Sequence, residues 1–211
     1  MMALAPAATS WWQRNRVWLM LLVPLLAAAI ASSSWAYVRL YRPQQFHNPQ
    51  RSVDGTLHFV QHTRSVDLDY TIDVTMKLIS FEPVNDTAWT VPAGQTLWRS
   101  TLQFEADPEA PLNGCGVSLR DQHGRRFVGN IGMKASRTMT QASAMQNDCV
   151  PLERGGPSVV MGTVMPAREG EERPRIWQST WLWALPSDAV PTTLRVSWAP
   201  PDYAEFGIPV R

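Results

Sequence analysis

Two cysteines, two closely spaced histidines, a row of aspartates and a group of tryptophans are the residues of this 211-residue sequence that could do chemistry. Cys115 and Cys149 allow a single intramolecular pairing. A redox pair usually sits closer in sequence, as in C-x-x-C, so a structural disulfide is the expectation, provided the domain lies outside the cytoplasm. Closing that loop would stabilise the fold by roughly 3–4 kcal/mol in the chain-entropy picture. His58 and His62 are four residues apart. On a helix both imidazoles would share one face, as a metal pair does. Here Leu57, Phe59 and Val60 read as strand, and Asp67 and Asp69 are the carboxylates close in sequence. The expected reading is exposed polar strand positions, with no metal site assigned.

Asp67, Asp69 and Asp73 form a carboxylate row, but calcium loops draw ligands from flexible turns with a D-x-D-x-D/N-G pattern. Thr71 and Ile72 occupy the decisive positions, so a solvated face is expected. Nucleophile and metalloprotease motifs (G-x-S-x-G, S-x-x-K, H-E-x-x-H) are missing. Gly155-Gly156-Pro157-Ser158 reads as a turn, because no Lys-Ser/Thr follows to cradle a phosphate. Asn85-Asp86-Thr87 is a glycosylation triplet of a kind that arises often by chance. No catalytic residue, no cofactor and no small-molecule substrate is therefore assigned. Trp177, Trp181 and Trp183 share one face of a strand by period 2. Facing inward they are core; facing outward they are a binding platform for a sugar or a protein. Core is favoured, since Trp98, Leu194 and Trp198 need similar company in a sandwich.

The elements that must position these residues are mostly strands. From Val66 to Leu78, seven apolar residues alternate with six polar ones. That describes a long strand, or one bent through two sheets, with one face buried and one wet. Further alternation marks strands at 98–104, 115–119, 126–131, 177–185 and 194–198, with Asp121-Gln122-His123-Gly124 as a turn. Tyr203 to Val210 reads as a last edge strand, fenced by prolines. Met165 to Arg175 reads as a mobile hairpin loop whose charges cancel. Arg137 to Gln146 is the best helical candidate after residue 50. Many short strands with Gly/Pro turns indicate an all-β sandwich.

Ahead of the strands lies an uncharged run of 22 residues, Val17 to Val38. As a helix it would be about 33 Å long, enough to cross a bilayer core of about 30 Å. Trp11, Trp12 and Trp18 flank one end, and Trp35, Tyr37 and Tyr41 the other, as interfacial aromatics do. The competing reading is a signal peptide cleaved after Ser34-Trp35-Ala36. The apolar run passes that site, which favours a retained transmembrane helix over residues 17–38. The flanking arginines (Arg14 and Arg16 against Arg39, Arg42 and Arg51) do not set the orientation. A short cytoplasmic tail at residues 1–16 is chosen, with a stalk at 39–53 and an extracytoplasmic domain at 54–211.

Composition narrows the function further. The net charge is +1, from 19 basic and 18 acidic residues, which removes the usual case for nucleic-acid binding. Two cysteines exclude a four-thiolate zinc site. Of the basic residues only Lys77 and Lys134 are lysine, a bias typical of GC-rich bacterial genomes such as those of actinobacteria.

The stretch Leu119-Arg120-Asp121-Gln122-His123-Gly124-Arg125-Arg126-Phe127 resembles the L-x-D-x-x-G-R/K-x-aromatic hairpin of bacterial, membrane-anchored extracytoplasmic immunoglobulin-like domains of unknown function. Trp181 to Pro186 is similar to their late apolar strand ending in Leu-Pro. The likeness spans roughly residues 54–210 and departs in the cysteine pair and the tryptophan content. It implies an immunoglobulin-like β-sandwich in the cell envelope and carries no catalytic residues. The expected function is that of a non-enzymatic accessory or scaffold protein that binds an envelope protein. The alternative is a cell-wall glycan-binding module using Trp177, Trp181 and Trp183. The bilayer is the further expected partner.

Overall fold

The computed structural model describes residues 11–65, 68–85, 91, 93–128, 149–151 and 153–209. The chain divides into two compact units between Gln45 and Phe46. The first holds α1 (Trp11–Ala36), which continues as a π turn at Tyr37–Tyr41 and a 3-10 turn at Arg42–Gln44. None of its residues is buried within the unit, and Pro24 sits inside it. This helix is long and apolar enough to cross a membrane.

The second unit is a β-sandwich. One sheet has the order β2-β3-β4-β9, from β2 (Thr56–Ser65), β3 (Leu68–Pro83), β4 (Gln95–Glu105) and β9 (Ile176–Pro186), all antiparallel. The other has the order β1-β11-β10-β5-β6, from β1 (Asn48–Arg51), β11 (Asp202–Gly207), β10 (Pro191–Ser197), β5 (Gly116–Asp121) and β6 (Arg126–Val128). β7 (Ser158–Val160) and β8 (Thr163–Met165) form a separate hairpin. The chain changes sheets four times, between β1 and β2, β4 and β5, β6 and β9, and β9 and β10. Consecutive crossings of that kind, with β4 beside β9 and β5 beside β10, give the immunoglobulin-like arrangement.

The alternation read from the sequence is realised in β3. Ile72, Val74 and Met76 are buried, while Asp69, Thr71, Asp73 and Lys77 are exposed. β3 stays in one sheet and runs on to Pro83; Val66 and Asp67 lie outside the described residues. A register shift against β4 between Leu78 and Ser80 ends the simple alternation, leaving Ile79 exposed and Phe81 stacked on Trp98. The core gathers Phe59, Phe104, Trp181, Trp183, Leu119, Leu194 and Phe206 from both sheets.

Three expectations change. Part of the expected stalk, Asn48–Arg51, is β1, paired parallel with β11. β11 is consequently an interior strand between β1 and β10 rather than an edge. Met165–Arg175 is not a free loop, because Arg173 is buried and donates from Nη2 to the carbonyls of Asp107 (2.7 Å) and Ala110 (2.8 Å). Its guanidinium also lies 4.8 Å from the Trp177 ring. Net charge along the segment hid one arginine with a structural task. The helical candidate at 137–146 lies outside the described residues, as do residues 129–131 of the return strand and most of the glycosylation triplet.

Candidate functional site

Asp67 lies outside the described residues; the other cysteines, histidines, aspartates and tryptophans singled out by their chemistry are placed as follows. Cys115, just before β5, is bonded to Cys149, with Cα atoms 5.8 Å apart. Both are buried, and the Cys149 carbonyl accepts from Trp177 Nε1 at 2.7 Å and Ser179 Oγ at 3.2 Å. The disulfide is thus locked to β9 by hydrogen bonds as well as by its covalent loop.

Trp177, Trp181 and Trp183 are 6%, 0% and 2% exposed. They face the opposite sheet from β9, with Phe104 stacked on Trp177 at 5.4 Å and edge-on to Trp181 at 6.2 Å. Trp183 Nε1 donates to Ser100 Oγ at 2.8 Å. The exposed aromatic platform, and the glycan-binding reading built on it, is corrected by this burial: a sugar cannot stack on rings covered by the other sheet.

His58, His62, Asp69 and Asp73 pair with neighbours across the wet face of β2 and β3. His58 Nε2 is 2.7 Å from Asp73 Oδ1, His62 Nδ1 is 2.9 Å from Thr71 Oγ1, and Arg64 Nε is 3.6 Å from Asp69 Oδ1. All lie on exposed side chains. Among the described residues, no three His, Cys, Asp or Glu side chains come together to hold a metal ion.

Asp121 explains the hairpin motif. Its Oδ1 accepts from the backbone N–H of His123 (3.0 Å) and Arg125 (2.8 Å), and its Oδ2 from Arg125 Nε at 2.6 Å. Gly124, at φ +76°, supplies the left-handed residue that lets the chain turn back. Arg125 reaches on to Asp188 at 3.0 Å. Burial pushes the Asp121 carboxyl up, but the hydrogen bonds from Arg125 and from the His123 backbone, with the Arg125 charge, outweigh it and hold the carboxyl below its usual range.

The surface that sequence reading missed is the outer face of the five-stranded sheet. Register places Arg120 directly opposite Arg126, and Arg195 between Ser118 and Glu205. Arg195 is buried, with its guanidinium 3.7 Å from the Tyr203 ring and 4.4 Å from the Phe46 ring. Burial, together with the charges of Arg126 and Arg120, brings its pKa down to about 10, so it remains a cation at neutral pH. Glu205 on the same face pairs with Arg51 at 3.2 Å. Among the described residues, exposed Arg120 and Arg126 have no ion-pair partner. Like charges directly opposite one another on a sheet destabilise it, and a carboxylate laid between them relieves the repulsion. Pairing of β5 with β6 was readable in advance; the position of Arg195 beside them requires the β5–β10 neighbourhood, which only the fold supplies.

The chain matches no family model and no curated protein. It is similar in structure to MPT63, a secreted protein of Mycobacterium tuberculosis, with a TM-score of 0.40 and 11% identity, over 76% of this chain and 98% of that one. An uncharacterized β-sandwich protein of Clostridium difficile 630 is similar at a TM-score of 0.32 and 9% identity, over 78% of this chain and 97% of the other.

Proposed function

We propose that this protein is a single-pass, membrane-anchored extracytoplasmic β-sandwich of the bacterial envelope. It acts without catalysis, as an accessory or scaffold subunit that binds an acidic surface of another envelope protein. The observation that carries the reading is the Arg120–Arg126 couple on the outer face of the five-stranded sheet, without an ion-pair partner among the described residues and backed by the sealed cation of Arg195. Rim charges of this kind steer and register a partner more than they add raw affinity. The exposed apolar α1 supports the anchor, and the buried Cys115–Cys149 bridge supports an oxidising compartment.

The test places a photo-crosslinking amino acid at Val128, exposed on the same face of β6 as Arg126, in native membranes. One discrete protein adduct is expected, lost when Arg120 is changed to Glu. An adduct of equal yield in Arg120→Glu, or none at all, would contradict a charge-guided protein partner.

A further inference from the structure

The β7–β8 hairpin exposes a cluster of apolar side chains on the sandwich unit. Val160 is 50% exposed, Met161 98% and Met165 50%, with Val164 also on the surface. From Gly155 to Ala167 the chain carries no charged residue over 13 positions. Val160 pairs with Thr163, leaving Met161-Gly162 as a two-residue turn in which both have positive φ, +49° and +78°. Such a turn favours Asn-Gly, and a bulky side chain there is strained. Met161 is thus disfavoured by backbone sterics and by water together.

The base of this tip is firmly held. The backbone N–H of Val159 donates to Asn113 Oδ1 at 3.1 Å, and Arg173 Nη1 donates to the Gly155 carbonyl at 3.3 Å. Asn113 precedes β5, whose first residue, Gly116, lies opposite Ser197, the last residue of β10. The chain enters the sandwich at that same end: the backbone N–H groups of His47 and Asn48 both donate to the Pro201 carbonyl, and Asn48 lies opposite Asp202. Only three residues, 45–47, separate the last helical residue, Gln44, from β1.

We infer that the β7–β8 hairpin is a membrane-contacting tip: Val160, Met161, Val164 and Met165 insert into the lipid interface of the bilayer that α1 crosses. The inference rests on the reading of α1 as a membrane anchor. The base of this uncharged tip lies at the end of the sandwich unit by which the chain enters, three residues after the last helical residue, Gln44. Transfer of its apolar surface out of water is favourable, at roughly 25 cal/mol per Å². Insertion would be shallow, about 5–10 Å, at the headgroup–acyl boundary.

The full chain, with its disulfide intact, is placed in phosphatidylcholine–phosphatidylglycerol vesicles carrying nitroxide lipids. Single added cysteines bear an environment-sensitive dye: Met161→Cys at the tip, His123→Cys at the opposite end of the sandwich, and Ala28→Cys within α1. Expected are blue-shifted emission at Met161→Cys quenched by shallow nitroxides, quenching at Ala28→Cys by deep nitroxides, and neither at His123→Cys. A Met161→Cys signal as water-like as His123→Cys, with Ala28→Cys quenched, would overturn the tip while leaving the anchor standing. Blue-shifted but unquenched Met161→Cys would mean protein contact, a second copy included, and overturn it too. Unquenched Ala28→Cys would remove the anchor on which the inference rests.

Discussion

Asp121 does at the residue scale what the hairpin motif requires: one buried carboxylate closes a turn by accepting from two backbone N–H groups and one guanidinium. Because its folded pKa is depressed, its contribution to stability is present above the unfolded carboxylate pKa and is lost as the pH falls through the folded one. Thermal unfolding followed below the usual carboxylate range should therefore show a steep acid limb in the parent protein and a shallower one in Asp121→Asn. Identical limbs would remove Asp121 from the account. Trp181 makes the complementary case. It fills the centre of the core at 0% exposure, so Trp181→Ala should lower stability by about 3–5 kcal/mol through lost transfer energy and a cavity. Denaturant titration measures it, and a loss below about 1 kcal/mol would mean that the ring is not enclosed.

At the scale of the element, β3 offers the sharpest contrast between two faces. Ile72→Asp places an unpaired carboxylate in the core and should abolish cooperative unfolding, at a cost of several kcal/mol. Asp73→Asn, on the wet face beside His58, should change stability by about 0.5 kcal/mol or less, since exposed ion pairs contribute little. Circular dichroism of the two variants decides, and equal behaviour would undo the strand's assignment. Strands such as β3 and β9 were legible because one face of each is buried and period-2 patterning records that directly. The tryptophans on β9 were assigned to core by the same logic, and burial agrees. What was not legible depends on neighbours distant in sequence. β1 is four residues with a proline, and it becomes a strand only because β11 lies beside it. Arg173 looked like one charge among several, and its carbonyl partners at Asp107 and Ala110 lie more than 60 residues away. The basic face could not be read at all, since Arg195 meets Arg120 and Arg126 only through the order β10-β5-β6. The β7–β8 hairpin was hidden by its shortness: strands of three residues carry too few alternations to register.

Over the whole molecule, an apolar helix without buried residues is joined to a sandwich with a core drawn from both sheets and its two cysteines paired. The disulfide belongs to this scale because it reports the compartment. Replacing Cys115 and Cys149 with serine should cost about 2–4 kcal/mol, and the parent protein should resist alkylation until it is reduced. Ready alkylation of both thiols would argue against an oxidising environment. The proposed localisation, partner and lipid-facing tip all depend on α1 being retained as a membrane anchor. Its most direct test is the intact mass of the protein left in the membrane pellet after alkaline carbonate washing. The chain should stay in the pellet with α1 still attached and two hydrogens lost to the Cys115–Cys149 bond. A washed-out product beginning near Tyr37 would show instead that the apolar segment is a cleaved signal and that the sandwich is released from the membrane.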